Sequence, residues 1–276
     1  FSYGSGQCVL HEVCGYDCCS TYTSSSYGQF AYIYVNDATS SKNYVNYSSV
    51  VRCVNVNSNS LYTLRLTHGK ICCPSVNISM NKCQYYSGIL IQPFVDSNSF
   101  TGSISYSSFT DNVASGYTCF YLWRGGSKIE IKSCNILRNT QGSVGSEGTI
   151  YTIDNVMIED SCILENNANY IFRQYSSYTI TLSNCTVDRT SNNGYLTTRN
   201  TVTKSFILAL NHMSTQNCHS KYDSVGTLTP NIQTPSPSKK QIPCFTFGNF
   251  LNQPQLSDFF SFHSVFIFNF IHTNVF

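Results

Sequence analysis

One short phrase returns down the middle of the chain: apolar, any, apolar, two residues, Cys or Ser, any, apolar, two residues, then a polar residue that is often Asn. Ile129-Ile131-Cys134-Ile136-Asn139 carries it in full, and Ile78-Met80-Cys83-Tyr85, Ile104-Ser107-Phe109-Asn112 and Ile180-Leu182-Cys185-Val187-Thr190 share its spacing. With the Cys/Ser position as marker, copies fall at 53, 83, 107, 134, 162, 185 and, around Ile207, His212 and Asn217, at 212, so that steps run from 23 to 30 residues. A fixed phrase at that period marks a chain that builds one supersecondary unit repeatedly. The step is too short for two packed helices, and the Leu-x-x-Leu-x-Leu ladder of leucine-rich repeats is missing.

Apolar and polar residues alternate on both sides of the marker, as in Ile129-Glu130-Ile131-Lys132 and Thr179-Ile180-Thr181-Leu182-Ser183, which is the period of a strand with one buried face. Composition agrees: 20 Tyr and 18 Phe accompany abundant Ser, Thr, Asn and Val, whereas the good helix formers are scarce. Further short apolar runs, such as Leu61–Leu66, Ile89–Ile91, Phe120–Leu122 and Ile150–Ile153, lie between the marked strands. Two or three short strands per step, all running the same way, predict an all-β fold: a right-handed parallel β-helix of about six to seven coils over residues 28–223. Equivalent residues then stack at the inter-strand spacing of about 4.8 Å, so the marker cysteines form an inward ladder. Asn112, Asn139, Asn167 and Asn217 are expected at corners, where an amide meets its equivalent one coil away.

Phe109-Thr110-Asp111-Asn112 resembles the FxxN repeat of polymorphic-membrane-protein-type β-helices, and Ile136-Leu137-Arg138-Asn139 and Leu164-Glu165-Asn166-Asn167 are similar with an aliphatic residue in place of Phe. The stretch from about Lys132 to Lys240, with SCNILRNT, GTIYTI, SCILENNANYIF, YTITLSNCTVD and NHMSTQNCHS, looks like a large group of uncharacterised trichomonad right-handed parallel β-helix proteins. The resemblance implies the fold and a cell-surface setting. It brings no activity and no catalytic residue with it.

Charged residues make up only 11% of the chain and the net charge is +2, which argues against a nucleic-acid partner, because such binders carry a basic face. Fourteen cysteines permit bridges in an extracellular setting, yet stacked side chains that point the same way fit disulfide torsions poorly. Cys134, Cys162 and Cys185 are therefore expected as stacked thiols. Each of the pairs Cys18-Cys19 and Cys72-Cys73 is expected to place at most one member in the core. His11-Cys14-Cys18 and Cys218-His219 offer only half of a zinc knuckle, so no metal site is assigned. No phosphate-cradling, dinucleotide or nucleophile-elbow motif occurs, and the 14 acidic residues are widely spaced, so neither a cofactor nor a catalytic residue is assigned.

The flanks differ from the middle. Residues 1–27 read as an irregular, Cys-rich cap; residues 224–256 as a Pro/Ser/Thr-rich linker; and residues 257–276 as an apolar, aromatic tail whose run Phe259–Phe276 is a possible membrane segment. The chain starts at Phe1 without a basic-then-apolar leader and reads as a fragment. Sequons at Asn46, Asn77 and Asn184 are possible glycosylation points, with Asn77 and Asn184 expected to face outward. Tyr85, Tyr86, Tyr117, Tyr121, Trp123 and Tyr175 are the candidate partner contacts, since flat rings bind sugars and proteins well. These features point to a non-enzymatic surface or secreted protein that adheres to a host protein or glycan. A polysaccharide lyase or glycoside hydrolase of the β-helix type, and a structural spacer without activity, are the alternatives.

Overall fold

In the computed structural model the described residues are 6–18, 28–53, 62–114, 118–142 and 147–203, and all of their regular structure is β. Three long sheets, parallel throughout, run the length of the described residues. Sheet A stacks Gln7–His11, Lys42–Asn46, Lys70–Pro74, Phe100–Ser105, Lys128–Lys132, Asn155–Glu159, Thr179–Ser183 and Tyr195–Arg199. Sheet B stacks Cys14–Tyr16, Ser49–Val51, Asn77–Ser79, Ser108–Thr110, Asn135–Leu137, Cys162–Leu164, Thr186–Val187 and Val202–Thr203. Sheet C stacks Gly28–Tyr34, Tyr62–Thr67, Tyr86–Gln92, Thr118–Leu122, Ile150–Thr152, Phe172–Gln174 and Asn192–Asn193, and a short fourth sheet joins Lys82–Cys83, Val113–Ala114 and Thr140–Gln141. The chain visits A, B and C in turn and then begins the next coil, which is a parallel β-helix. Its core is the column of inward side chains, including Ile71, Ile104, Ile131 and Ile158 from A, Ile78, Phe109, Ile136 and Ile163 from B, and Leu66, Ile91 and Leu122 from C, all fully buried.

Sheets A and B each hold eight strands, more than the six to seven coils expected. The difference lies at the start. Residues 1–27, expected as an irregular cap, contribute Gln7–His11 to sheet A and Cys14–Tyr16 to sheet B, both in register with the second coil. Gly15 takes the inward position there, and a side chain would collide with the Phe30 ring, which fills that space. The expected seventh copy around His212, the linker and the tail lie outside the described residues.

The turn from A to B has one length. The inward residue of A precedes its counterpart in B by seven positions at Asn43 and Val50, Ile71 and Ile78, Gly102 and Phe109, Ile129 and Ile136, Val156 and Ile163, and Ile180 and Val187. Two columns of left-handed residues flank the strands of sheet B. Tyr47, Ser75, Tyr106, Ser133, Asp160 and Asn184 enter sheet B with φ between 49° and 54°, and Arg52, Met80, Asp111, Arg138 and Glu165 leave it with φ between 52° and 57°. Each non-glycine residue in that region costs about 1–2 kcal/mol. In return the backbone ladder continues round both corners: Ser75, Tyr106 and Ser133 donate their N–H to Ser105, Lys132 and Glu159 O, and Met80, Asp111 and Arg138 to Thr110, Leu137 and Leu164 O. The second column also pairs charges along the axis, since Arg138 grips Asp111 through Nε and Nη2.

Register corrects three sequence expectations. Cys134 and Cys185 share the marker column, but the residue between them is Ser161, whose hydroxyl accepts the Cys134 N–H (3.0 Å). Cys162 lies one position on, paired with Asn135 and Thr186, and faces outward. Ser48 and Ser107 hold the same column and accept the N–H of Val13 and Val76, so Val76 replaces the expected marker Cys83. Cys53 sits at the asparagine corner, its N–H donating to Asn81 Oδ1 (2.9 Å). At that corner the ladder is Asn81, Asn112, Asn139 and Asn166; Asn167 is an exposed neighbour. The Nδ2 of Asn81, Asn112 and Asn139 donates to the next Oδ1 at 3.1, 3.0 and 3.0 Å and also to the Val50, Ile78 and Phe109 carbonyls.

The stacked thiols of Cys134 and Cys185 form no disulfide, and burial pushes the Cys134 thiol up to about 12, so it remains a protonated packing group that donates to Lys132 O. Cys73 is buried and Cys72 half-buried, one on each side of the strand, as expected. Cys14 is disulfide-bonded.

Replacing Asn112 by Ala removes four buried hydrogen bonds and strands their partners, at about 1 kcal/mol each. Denaturant unfolding should show a loss of about 3–4 kcal/mol for Asn112→Ala and little change for the exposed Asn167→Ala. At exposed Tyr106 (φ 51°), Asn tolerates the left-handed backbone and a β-branched residue does not. Tyr106→Asn should raise the unfolding midpoint, and Tyr106→Val should lower it by about 1–2 kcal/mol equivalent.

Candidate binding face

Alternation along sheet C turns one residue in two away from the core. In the strand Thr118–Leu122 the rings and chains of Phe120 and Leu122 point in, so Tyr121 points out. Register then places Arg65, Leu90, Tyr121, Tyr151 and Arg173 in one outward column. Tyr62 and Tyr86 pair directly before a bulge that interrupts the strand between Tyr86 and Ile89. Gly88 lies inside the bulge and permits the close approach of the neighbouring coil, since an added Cβ there would lie 2.4 Å from the Cys119 carbonyl oxygen. The shift brings the Tyr86 ring over Tyr121.

The result is a pile of planar groups along the helix axis. Tyr62 and Tyr86 stack at 5.0 Å, Tyr86 and Tyr121 at 4.6 Å, and Tyr121 and Tyr151 at 5.3 Å, all with nearly parallel planes. A guanidinium closes each end. Arg65 lies between the Tyr62 and Tyr32 rings (5.0 and 4.7 Å), and Arg173 lies over Tyr151 (5.6 Å). Each stacked pair stabilises by about 0.5–1.5 kcal/mol beyond its buried area. Burial raises the pKa of the Tyr62, Tyr121 and Tyr151 hydroxyls, which therefore remain neutral hydrogen-bonding groups at physiological pH.

Stacking uses up the faces of the ladder tyrosines, leaving their edges and hydroxyls outward. Open ring faces belong to the neighbouring column. Trp123 (38% exposed) leans on Tyr121 at 5.5 Å, and Tyr175 (60% exposed) follows it two coils on, roughly 10 Å away along the axis. Of the six aromatic residues expected to make contacts, the structure gathers Tyr86, Tyr121 and Trp123 into this stack, sets Tyr85 against Tyr86 (6.3 Å) and extends the face to Tyr175. Tyr117 lies outside the described residues. Sequence reasoning missed Tyr32, Tyr62, Tyr151, Arg65 and Arg173, although Tyr121 and Tyr151 are one coil apart in sequence and carry a recoverable signal.

Beside Trp123 lies a charged cluster drawn from three coils. Arg124 reaches back to ion-pair with Asp37 and donates from Nη1 to His68 Nε2 (3.1 Å). Because guanidinium only donates, His68 accepts there and carries its proton on Nδ1. Tyr34 covers the imidazole at 4.7 Å. Asp154 holds the turn that presents Arg124, accepting the backbone N–H of Arg124 and Ser127 at 2.7 and 2.8 Å; burial nevertheless raises its pKa to about 6. The pKa of His68 is lowered, chiefly by burial and further by Arg124, against the opposing pull of Asp37.

Among the sequons, Asn184 is exposed at a left-handed corner and Asn46 is half-buried. Asn77 faces outward but is buried, with neither amide atom hydrogen-bonded, which corrects its assignment as an open glycan acceptor. His11, expected near a zinc half-knuckle, contacts Glu12 and the edge of Tyr47. Among the described residues no group of three or more His, Cys, Asp or Glu side chains is placed to hold a metal ion. Compared with known proteins, the chain matches no family model, no curated protein and no solved structure.

A histidine whose folded pKa lies below its unfolded value of about 6.5 stabilises the protein above that pH, and the contribution is lost as pH falls. Arg124→Ala removes a repelling cation and frees Asp37, so both changes raise the His68 midpoint. NMR titration of the imidazole should find it below 6.5 in the native chain and higher in the variant; an unmoved midpoint would show that Arg124 does not control the ring.

Proposed function

We propose that the protein is a non-enzymatic, surface-displayed or secreted binding protein that contacts a glycan or protein partner through the outer face of sheet C. The observation that carries this reading is the rigid stack of Tyr62, Tyr86, Tyr121 and Tyr151, which holds Trp123 at its flank with an open ring face. A ring already locked by neighbours loses little rotamer entropy when a ligand arrives. The spacing of Trp123 and Tyr175 suits an extended ligand running along the helix axis. Phenol hydroxyls and the Arg65 and Arg173 guanidinium groups add hydrogen-bond donors along the same line. A surface or secreted setting accords with the exposed sequon at Asn184 and with the expectation drawn from the resemblance to trichomonad proteins.

Trp123 is the only tryptophan in the chain, so its fluorescence reports this face alone. A glycan array should identify ligands whose addition shifts Trp123 emission, and Tyr175→Ala should weaken their binding by roughly tenfold, the effect of losing about 1.4 kcal/mol at one aromatic contact. An array and a cell-surface partner screen that both leave Trp123 emission unchanged would remove the basis for this assignment.

A further inference from the structure

The amide column at the corner after sheet B does not end in asparagine. Counted back from Asn166 through Asn139, Asn112 and Asn81, its next two places are held by Cys53 and, one coil earlier, Cys18, each two residues past the paired positions Val51 and Tyr16. Side chains in this column lean along the axis. Each asparagine amide meets its equivalent at 3.0–3.1 Å, and the Oδ1 of Asn81, Asn112, Asn139 and Asn166 accepts a backbone N–H from the coil before. Cys53 plays the same part toward Cys18: its thiol accepts the Cys18 N–H and hydrogen-bonds the Cys18 thiol. Both residues belong to one core cluster, and the Cys18 sulfur lies 3.5 Å from the place a Cβ on Gly15 would take. One position earlier the same two coils are clamped from outside, where Arg52 ion-pairs with Asp17 (3.5 Å) and donates to the Tyr16 hydroxyl (2.8 Å). Among the described residues no other two cysteines hold equivalent places on adjacent coils; in the marker column Ser161 separates Cys134 from Cys185.

We propose that Cys18 and Cys53 form a disulfide site, oxidised by a small-molecule disulfide of the glutathione class, that locks the first coil to the second. In-register neighbours lie about 4.8 Å apart at Cα, inside the range that a disulfide spans. The thiols of Cys134 and Cys185 are held by the carbonyl two residues earlier, at 3.2 and 3.3 Å, whereas for Cys18 and Cys53 that distance is 3.8 Å and the sulfurs turn toward each other. Cys18 is the attacking group. The hydrogen bond from Cys53 lowers its pKa from the ordinary value, and the pKa of Cys53 is raised in return. The Cys18 thiolate attacks one sulfur of the small disulfide; a mixed S–S bond forms, and the departing thiolate takes up the proton that Cys18 lost. Cys53 then attacks the Cys18 sulfur, and its proton goes to the second departing thiolate. Two protein thiols are thereby oxidised by two electrons, and one small disulfide is reduced to two thiols. Cys14 of the same coil is itself disulfide-bonded, so the new link joins a coil that already carries a bridge.

The full-length chain is equilibrated with oxidised glutathione, blocked with iodoacetamide in denaturant, cut with chymotrypsin and read by mass spectrometry without reduction. Peptides carrying Cys18 and Cys53 should appear cross-linked, and the link should persist in Cys19→Ser and vanish in Cys18→Ser. Hydrogen exchange at the Gln7–His11 amides should slow by roughly tenfold or more on oxidation of the native chain. The slowing should be absent from Cys53→Asn, which extends the amide column by one link and cannot form the bridge; if that variant fails to fold, Cys18→Ser supplies the same comparison. Alkylation of both cysteines after oxidant treatment would overturn the proposal, as would a bridge from Cys53 to Cys19 or a glutathione adduct that stays on Cys18. Equal slowing in the native chain and the variant would assign the protection to the Cys14 bridge and rule out the lock.

Discussion

The parallel hydrogen-bond ladder between coils is the interaction on which everything else in this structure rests. Because backbone N–H and C=O groups of one coil are satisfied by the next, each coil is held at a fixed height and in a fixed register above its predecessor. A side chain then has no choice of axial neighbour: it meets its own equivalent. That constraint converts ordinary residues into collective ones. An asparagine becomes a link in a buried amide chain, a tyrosine becomes a layer in a pile of rings, and an arginine at a corner meets the acids above and below it. The left-handed corner residues sustain the arrangement, since without them the ladder would break twice in every coil.

Inside and outside obey different rules under this constraint. Inward columns are apolar, with Ser and Cys at one turn where a small polar side chain accepts a backbone N–H or donates to a carbonyl two residues earlier. Outward columns have no volume to fill, so their chemistry is free to vary: charge and small polar groups on sheet A, rings and guanidinium groups on sheet C, and an apolar stripe on sheet B. Three faces of one coil therefore offer three surfaces of distinct chemistry.

The fold was legible because the arc from sheet A to sheet B never changes length, so its apolar positions return in a phrase that the eye can find. Two kinds of error arose at its edges. Left-handed residues such as Met80 and Asp160 turn the chain at a corner and interrupt the alternation, so Cys83 and Cys162 fall outside the column that an unbroken alternation predicts for them. Residues 7–16 escaped recognition because Cys8, Leu10 and Gly15 are a weak apolar signal, Gly15 being small only to admit Phe30 from elsewhere in the coil. The aromatic face was half legible. Tyr86, Tyr121 and Trp123 stand out as rings beside apolar runs, whereas the contribution of Tyr62 depends on a bulge at Gly88, which no spacing rule reveals. The meeting of Arg124 with His68 and Asp37, 56 and 87 positions earlier, is a product of folding alone.

The constant seven-residue arc has a further consequence for where the coils differ in length. Successive inward residues Val50, Ile78, Phe109, Ile136, Ile163 and Val187 lie 24 to 31 positions apart, and since the arc from A to B absorbs none of that variation, all of it falls on the return path through sheet C. Insertions and deletions there lengthen or shorten a loop without sliding any strand of A or B. One side of the molecule is thereby a chassis of constant length, and the other takes up every difference in length between coils, beside the very rings that face outward.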